Sequence, residues 1–545
     1  MRRKQAWTIM IFSGMKSRII TRIALSGILL SLFLSASPSG RDVYQPPDPQ
    51  GDTFRIRNFD TAFLPRFDPA KGESVFVTQQ IFDGLVRLDN DLNIVPDLAE
   101  YWDISEGGRC YTFYLRKGVR FHDGRELTAG DVEFSLLRLM NPETESPFGR
   151  FFVDKVVGGE AFAAGAAEDV AGFRILDRYI FELHWKKPYV SALGLLSMSF
   201  CRILPRETVE KDGSRFFARP VGTGPFKFDG WIRSPRLDIV GVRLARNPSY
   251  FGRLPRVAMV EYSPYYTRDH FEKREIDVMP FSADLARLGC RVVEGGDLNV
   301  YHLMMSCANP PFDRTRIRRA MSLIIDRERL AQAQSSGAVR FRASHSFIPD
   351  KLPGFLPSIN PVGPAPDEAY RILEEEGYFH TKEFPEILLY MPAGGKIDRT
   401  PFVRELTRQF ETAGIRLKAR DYWKLADLAD VRKPFFVLCQ SSLAFPDPES
   451  VIRPLFGRSS PARWLTAGVP GPEFDALLEE AAVEPGRARY QDLFREMERM
   501  IRRDVPGIPL FAAVQRLAVQ PNIRGLRIPL LGTTYLDLRD VAFIR

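Results

Sequence analysis

The chain has 545 residues, 45% hydrophobic and 26% charged, a composition ordinary for a soluble globular protein and a length too great for one core. Its formal charge is +8, but Arg2, Arg3, Lys4, Lys16, Arg18 and Arg22 all stand within residues 1–39, which hold no acid, and without them the excess is +2. So small a remainder leaves no electrostatic footprint for nucleic acid.

Residues 23–34 form an apolar run behind those basic residues, with small residues after it. The run is shorter than the roughly 20 residues that span a bilayer and has the order of an export signal. Cleavage is expected at or near Ser39, since Pro38 disfavours a cut directly before it, and Met15 is a second possible start. The first cysteine is Cys110, so no lipid anchor is expected and the mature protein should be free in the periplasm. Residues 40–50 then read as a polar, Pro-rich linker.

Residues 53–58 read as a first strand, and residues 74–86 as an apolar, helix-like segment before the turn Asp89-Asn90-Asp91. In residues 110–115, Tyr111, Phe113 and Leu115 alternate with Cys110, Thr112 and Tyr114, the period of a strand buried on one face. Lys117-Gly118 turns the chain, Val119 and Phe121 start a second short strand, and His122-Asp123-Gly124 closes it. His122 and Asp123 could form an acid–base pair, but neighbours in a Gly-containing turn usually bond locally, which is the expectation here. Thr128 with Asp131 three residues on predicts a capped helix, with Val132, Leu136, Leu139 and Met140 on one face and a stop at Asn141-Pro142.

A strand follows at residues 179–185, then Pro220-Val221-Gly222-Thr223-Gly224-Pro225-Phe226. A tight turn entering a strand is expected there rather than a phosphate loop, because the Lys-Ser/Thr spacing is missing and Pro225 removes an amide. The pattern restarts near Tyr301. Ile317, Met321, Ile324 and Ile325 share a helical face, and Arg316, Arg318, Arg319, Arg327 and Arg329 read as its solvated side. Helices at 367–376 and 402–413, each ended by glycine, alternate with strands at 387–391, 415–419 and 435–439, the pattern of an α/β lobe. Tyr490, Leu493, Phe494, Met497, Met500 and Ile501 mark the last long helix, before strands that begin at Ile508. The five cysteines are too scattered for a disulfide framework, although one bridge among Cys290, Cys307 and Cys439 is allowed. Neither they nor the six histidines have metal-ligand spacing, and no nucleophile motif is present, so no cofactor, metal or catalytic residue is expected.

Trp102, Ser105, Gly107, Tyr111-Thr112-Phe113, Leu115-Arg116, Gly118-Val119, residues 121–124 and residues 127–131 fill a long ordered pattern. With Phe82-Asp83-Gly84-Leu85, the Gly-Thr-Gly-Pro-Phe turn, Asn247 to Tyr250 and Asn309-Pro310-Pro311-Phe312-Asp313, it resembles the extracytoplasmic solute-binding proteins of the peptide/nickel ABC-transporter family. The resemblance implies an α/β, two-lobe periplasmic-binding-protein-like fold with a hinge and an extra N-terminal α+β subdomain. Lobe I would take residues 51–75, 176–300 and 506–545, the extra subdomain 76–175, and lobe II 301–505. It implies a monomer that is no enzyme, closes on a peptide or peptide-like solute and passes it to a membrane ABC permease. The alternatives kept open are a non-peptide solute, such as an oligosaccharide or metal complex, and a secreted hydrolase. Peptide-binding relatives hold the α-ammonium with an Asp four residues before the Pro of an acid-Pro pair; here the pair is Asp447-Pro448, and that position is Ala444. The expected ligand contacts are Gln440, Ser441, Ser442 and Phe445 from lobe II, facing Asn58, Asp60 and Tyr301.

Overall fold

The computed structural model describes residues 52–57, 65–357, 363–380, 382–393, 400–441 and 443–544. The signal segment, the linker, Asn58, Asp60 and Ser442 lie outside them. Strand β1 (Thr53–Arg57) is followed by the helix Val75–Ile81 and a short hairpin of β2 (Val86–Leu88) and β3 (Ile94–Pro96). Next come β4 (Ala99–Ser105), β5 (Cys110–Leu115), β6 (Phe173–Asp177) and β7 (Ile180–His184), an antiparallel sheet in the order β4-β5-β7-β6. Tyr111, Phe113, Leu115, Phe181 and Leu183 share its core with Val132, Leu136, Leu139 and Met140 of the helix Ala129–Met140. That helix starts where the sequence places it, with Asp131 Oδ2 accepting from the Thr128 amide at 2.9 Å.

His122 departs from the local reading. Its Nδ1 accepts from the Gly222 amide at 3.2 Å and its Nε2 meets the Gly224 carbonyl at 3.0 Å, while its own amide donates to the Gly222 carbonyl. Burial holds the imidazole down to about 4, so it clamps the Gly-Thr-Gly turn as a neutral ring with its proton on Nε2. Asp123 bonds both nearby, accepting from the Arg125 amide, and across the fold, accepting from Thr208 Oγ1 at 3.0 Å. The turn is glycine-rich because it lies against a helix end: a Cβ on Gly222 would stand 2.0 Å from the Ile81 carbonyl oxygen.

Strands β8 (Phe226–Arg233), β9 (Ile239–Arg246), β10 (Met259–Ser263) and β11 (Val278–Pro280) build the first lobe's sheet around β1, which runs parallel to β10 and β11. The second lobe holds β13 (Val339–Ala343), β14 (Ile387–Pro392), β15 (Leu417–Tyr422) and β16 (Phe435–Ser441), with β14 parallel to both β15 and β16. Two long antiparallel strands, β12 (Arg291–Met305) and β17 (Gly507–Val519), belong to both halves. Arg291 to Gly296 pairs with Val514 to Val519, which continues through β11 into the first lobe. From Val300 onward β12 pairs with Gly507 to Ala512 on one side and with β16 on the other. The ladder breaks between Gly296 and Val300, so the 11-stranded sheet turns there from one lobe to the other.

Two sequence readings are corrected. All five cysteines are free, and the thiols of Cys290 and Cys307 go to the carbonyls of Leu285 and Pro506, so the bridge allowed among Cys290, Cys307 and Cys439 does not form. The strand read from residue 415 begins at Leu417, because the Ile415 amide still closes the preceding helix on the Phe410 carbonyl after left-handed Gly414.

Gly222→Ala should lower the melting temperature by the equivalent of about 2–3 kcal/mol, since the methyl has nowhere to go. Gly230→Ala, where a Cβ meets nothing within 4 Å, should leave it nearly unchanged. Calorimetric melting of both variants checks this, and equal melting temperatures would contradict the clamp.

Candidate functional site

A cavity of about 500 Å³ opens beside the break in β12. Its floor is small and apolar: Gly295-Gly296, Val300 and Ala512 to Val514 from the two crossing strands, with Leu530 from the C-terminal segment. The floor is close-packed from beneath, for a Cβ on Gly295 would lie 2.2 Å from the Ile528 Cβ. The wall comes from the second lobe and is polar, with Arg342, His345, Lys351 and Arg502 among its residues. An apolar floor with a few convergent polar groups is the ordinary make-up of a small-solute site.

Two polar atoms of that wall are buried without a hydrogen-bond partner: His345 Nδ1 and Arg502 Nε. Such atoms are costly to leave unpaired. Burial first, and then Arg327 and Arg502, hold the His345 imidazole down to about 4, so the ring is neutral. Arg502 donates through Nη2 to the Leu356 carbonyl at 2.7 Å and to Glu498 Oε1 at 3.0 Å, which fixes the guanidinium. Glu498 is itself pushed up to about 7, chiefly by burial, against the pull of Ser346 and Arg502. Arg342 is tied to Asp350 at 2.8 Å. The lining thus sets the cations of Arg342, Lys351 and Arg502 beside the carboxylates of Glu294 and Asp350.

Of the residues expected from sequence, Tyr301 and Gln440 stand opposite each other across β12 and β16, and Ser441 stands opposite Val300. Val300 lines the cavity, and side chains alternate along a strand, so Tyr301 is turned to the other face. There its ring meets Phe341 and Phe511 at 5.5 and 5.4 Å. Ser441 is buried, with its Oγ 3.3 Å from His302 Nδ1, and Gln440 is exposed. Phe445 is buried in the extra subdomain's core, edge-on to Phe151, with Ala444 packed beside it. None of these four lines the cavity. Sequence reasoning missed the wall because Arg342, His345, Lys351 and Arg502 follow no motif; the one available signal was a histidine among small residues, Ala343-Ser344-His345-Ser346, ahead of Pro349.

The lobes also touch away from the cavity. Tyr490 OH donates to Asp447 Oδ1 at 2.7 Å and lies 3.2 Å from Ser191 Oγ, which comes from the other side of the cleft. Burial, then the neighbouring Glu449, pushes Asp447 up to about 6.

Among known proteins, the profile of the bacterial extracellular solute-binding proteins, family 5, matches residues 93–462. Heme-binding protein A of Haemophilus influenzae is 26% identical over 82% of this chain and 84% of its own. The periplasmic oligopeptide-binding protein OppA of Salmonella typhimurium is 24% identical over 92% and 94%. The fold is shared with the unliganded open form of the periplasmic murein tripeptide binding protein MppA, at a TM-score of 0.76, 19% identity and coverage of 93% and 99%. HbpA2 from Haemophilus parasuis gives a TM-score of 0.74, 20% identity and coverage of 90% and 99%. Among the described residues no helix is long and apolar enough to cross a membrane.

Glu498 gives a pH test of the wall. Its folded value lies above its unfolded one, so its contribution is full below about 4.5 and is lost as pH rises through about 7. Glu498→Gln removes that loss, so between pH 5 and 7.5 the variant should fall less in melting temperature than the parent, by the equivalent of about 2–3 kcal/mol. Parallel melting curves across that range would overturn the assignment.

Proposed function

The chain belongs to the bacterial extracellular solute-binding proteins, family 5, and from that membership we propose that it captures a peptide or peptide-like solute at the strand crossing and delivers it to a membrane ABC permease. Proteins of this family are binding components of transport and not enzymes, which removes the secreted-hydrolase alternative. The observation that carries the reading is the cavity itself, floored by strands shared between the lobes and lined by His345 and Arg502. A solute bound there touches both halves of the crossing and favours the arrangement that brings them together. We divide the lobes inside β12, between Gly296 and Val300, and inside β17 near Ala512, with the subdomain on the first lobe. The working form is a periplasmic monomer.

Ala444 shapes the choice of solute. The position that holds an α-ammonium in peptide-binding relatives has no charge here, and its neighbour Phe445 is committed to the subdomain core. Asp447 is the next carboxylate along, and its Oδ1 already takes the Tyr490 hydroxyl. A buried ammonium with no partner loses several kcal/mol. The solute is therefore neutral, blocked at its amino end or anchored elsewhere, and the Arg502 guanidinium in the cavity lining is the group that would hold its acceptors.

Calorimetry with tri- to pentapeptide pools, free and N-acetylated, tests this. Acetylation should leave binding unchanged, and Arg502→Ala should weaken it by about tenfold or more, the worth of a charge-assisted hydrogen bond. Micromolar binding that disappears on acetylation would show an ammonium anchor and overturn the Ala444 reading. Small-angle scattering should show contraction on saturation, and dimensions indifferent to peptides, oligosaccharides and metal complexes alike would overturn the receptor role.

A further inference from the structure

We propose that the four-stranded sheet of the extra subdomain carries a metal site of the zinc class, with Cys110, Glu182 and His184 as its protein ligands. β5 and β7 run antiparallel with Cys110 opposite His184 and Thr112 opposite Glu182. Residues two apart on a strand share a face, so these four side chains form one patch, on the side of the sheet away from Tyr111, Phe113, Phe181 and Leu183. None of them lines the cavity at the crossing.

The donor atoms converge. His184 Nε2 lies 3.7 Å from Cys110 Sγ and 3.1 Å from Glu182 Oε2, and all three lie within 4.8 Å of one another. A tetrahedral zinc ion with metal–sulfur bonds of about 2.3 Å and metal–nitrogen and metal–oxygen bonds near 2.0 Å has ligand–ligand edges of about 3.3–3.6 Å. The observed spacings bracket that range. Both short contacts fall on the same ring nitrogen, whose single proton cannot serve thiol and carboxylate well at once. An ion at the shared centre bonds all three. The same convergence argues against a Cys-His-Glu nucleophile relay, in which the acid orients the imidazole through the other nitrogen.

The surroundings suit a ligand set. Thr112 Oγ1 donates to Glu182 Oε1 at 3.2 Å, which turns Oε2 toward His184 as an outer partner turns a metal-binding carboxylate. Cys110 is 3% exposed, and the Glu182 and His184 side chains are 17% and 13% exposed, so the thiol is shielded while an ion and a water can still enter. Asp103 stands opposite Thr112 on β4 and adds an exposed carboxylate; Arg174, opposite Glu182 on β6, is exposed. One sulfur, one nitrogen and one oxygen select zinc or cobalt over calcium or magnesium. On binding, Cys110 releases its proton to solvent and coordinates as thiolate, and the fourth position takes water. Chain spacing hid the site because its ligands meet only through the pairing of β5 with β7.

The test uses the mature full-length chain without a histidine tag, stripped by chelator and titrated with cobalt(II), and with zinc(II) against a chromogenic chelator. One equivalent of cobalt should bind with a thiolate-to-metal charge-transfer band in the near ultraviolet. Cys110→Ser should abolish the band, Cys290→Ser should keep it, and His184→Gln and Glu182→Gln should each weaken zinc binding by about 10- to 100-fold with an unchanged far-ultraviolet dichroism spectrum. The two half-buried variants stand in if Cys110→Ser does not fold. Absence of saturable one-equivalent binding, a band that survives Cys110→Ser, or zinc affinity unmoved by both glutamine variants would overturn the site.

Discussion

The molecule depends on the pairing of β12 with β17. Few strands are so long, and these two are shared: each spends one half in the first lobe's sheet and the other half in the second's. Hydrogen bonds along both halves keep the lobes in one sheet, while the broken ladder between Gly296 and Val300 lets the sheet change direction. Glycines at the break are required by close approach, since Ile528 and Leu530 of the C-terminal segment press on them. Such a joint keeps a separate core on each side, and beside it lies the small, apolar floor of the cavity.

A second constraint fixes the extra subdomain to the first lobe. The turn Gly222-Thr223-Gly224 is held from one side by His122 and from the other by Asp83, whose Oδ2 accepts from Thr223 Oγ1 at 2.8 Å. Asp97 lies in the same buried group, accepting from the Gly84 amide, with Arg202 at 3.8 Å. Burial pushes both carboxyls up, and the nearness of Asp97 adds to the push on Asp83. A charged pair is poorly tolerated there, and the network persists because its members are hydrogen-bonded from several segments at once. The long family-like pattern in the sequence therefore encodes packing: its histidine is a clamp for a turn a hundred residues away.

Legibility followed the range of the interaction. The helix Ala129–Met140, its cap, its buried face and its stop were readable because all of them are set within a few residues. The glycine-ended helices were readable for the same reason, and Gly414 misled by only two residues because the Ile415 amide finishes the helix before it can start a strand. What His122 bonds to was not readable, since its partners lie across the fold. The cavity shows the same limit more sharply. Tyr301 was read as a ligand contact and lies on the shared strand, yet side chains alternate, and a single step from Val300 to Tyr301 moves a ring from the cavity to the packed face against Phe511. Arg502 gave no signal, and His345 only that of a histidine among small residues, because nothing near them in sequence tells where the wall will stand.

Contact between the lobes bears on how such a joint responds to a solute. Phe445 of the second lobe is buried against Phe151, and Tyr490 reaches Asp447 and Ser191 together. Contacts of this kind join the two parts of the chain directly and so contribute to the balance between their arrangements. A solute shifts that balance only by what it gains in one arrangement and lacks in the other. A solute on the crossing strands is placed to do so, because Gly295-Gly296 and Val300, on either side of the broken ladder, both line the cavity.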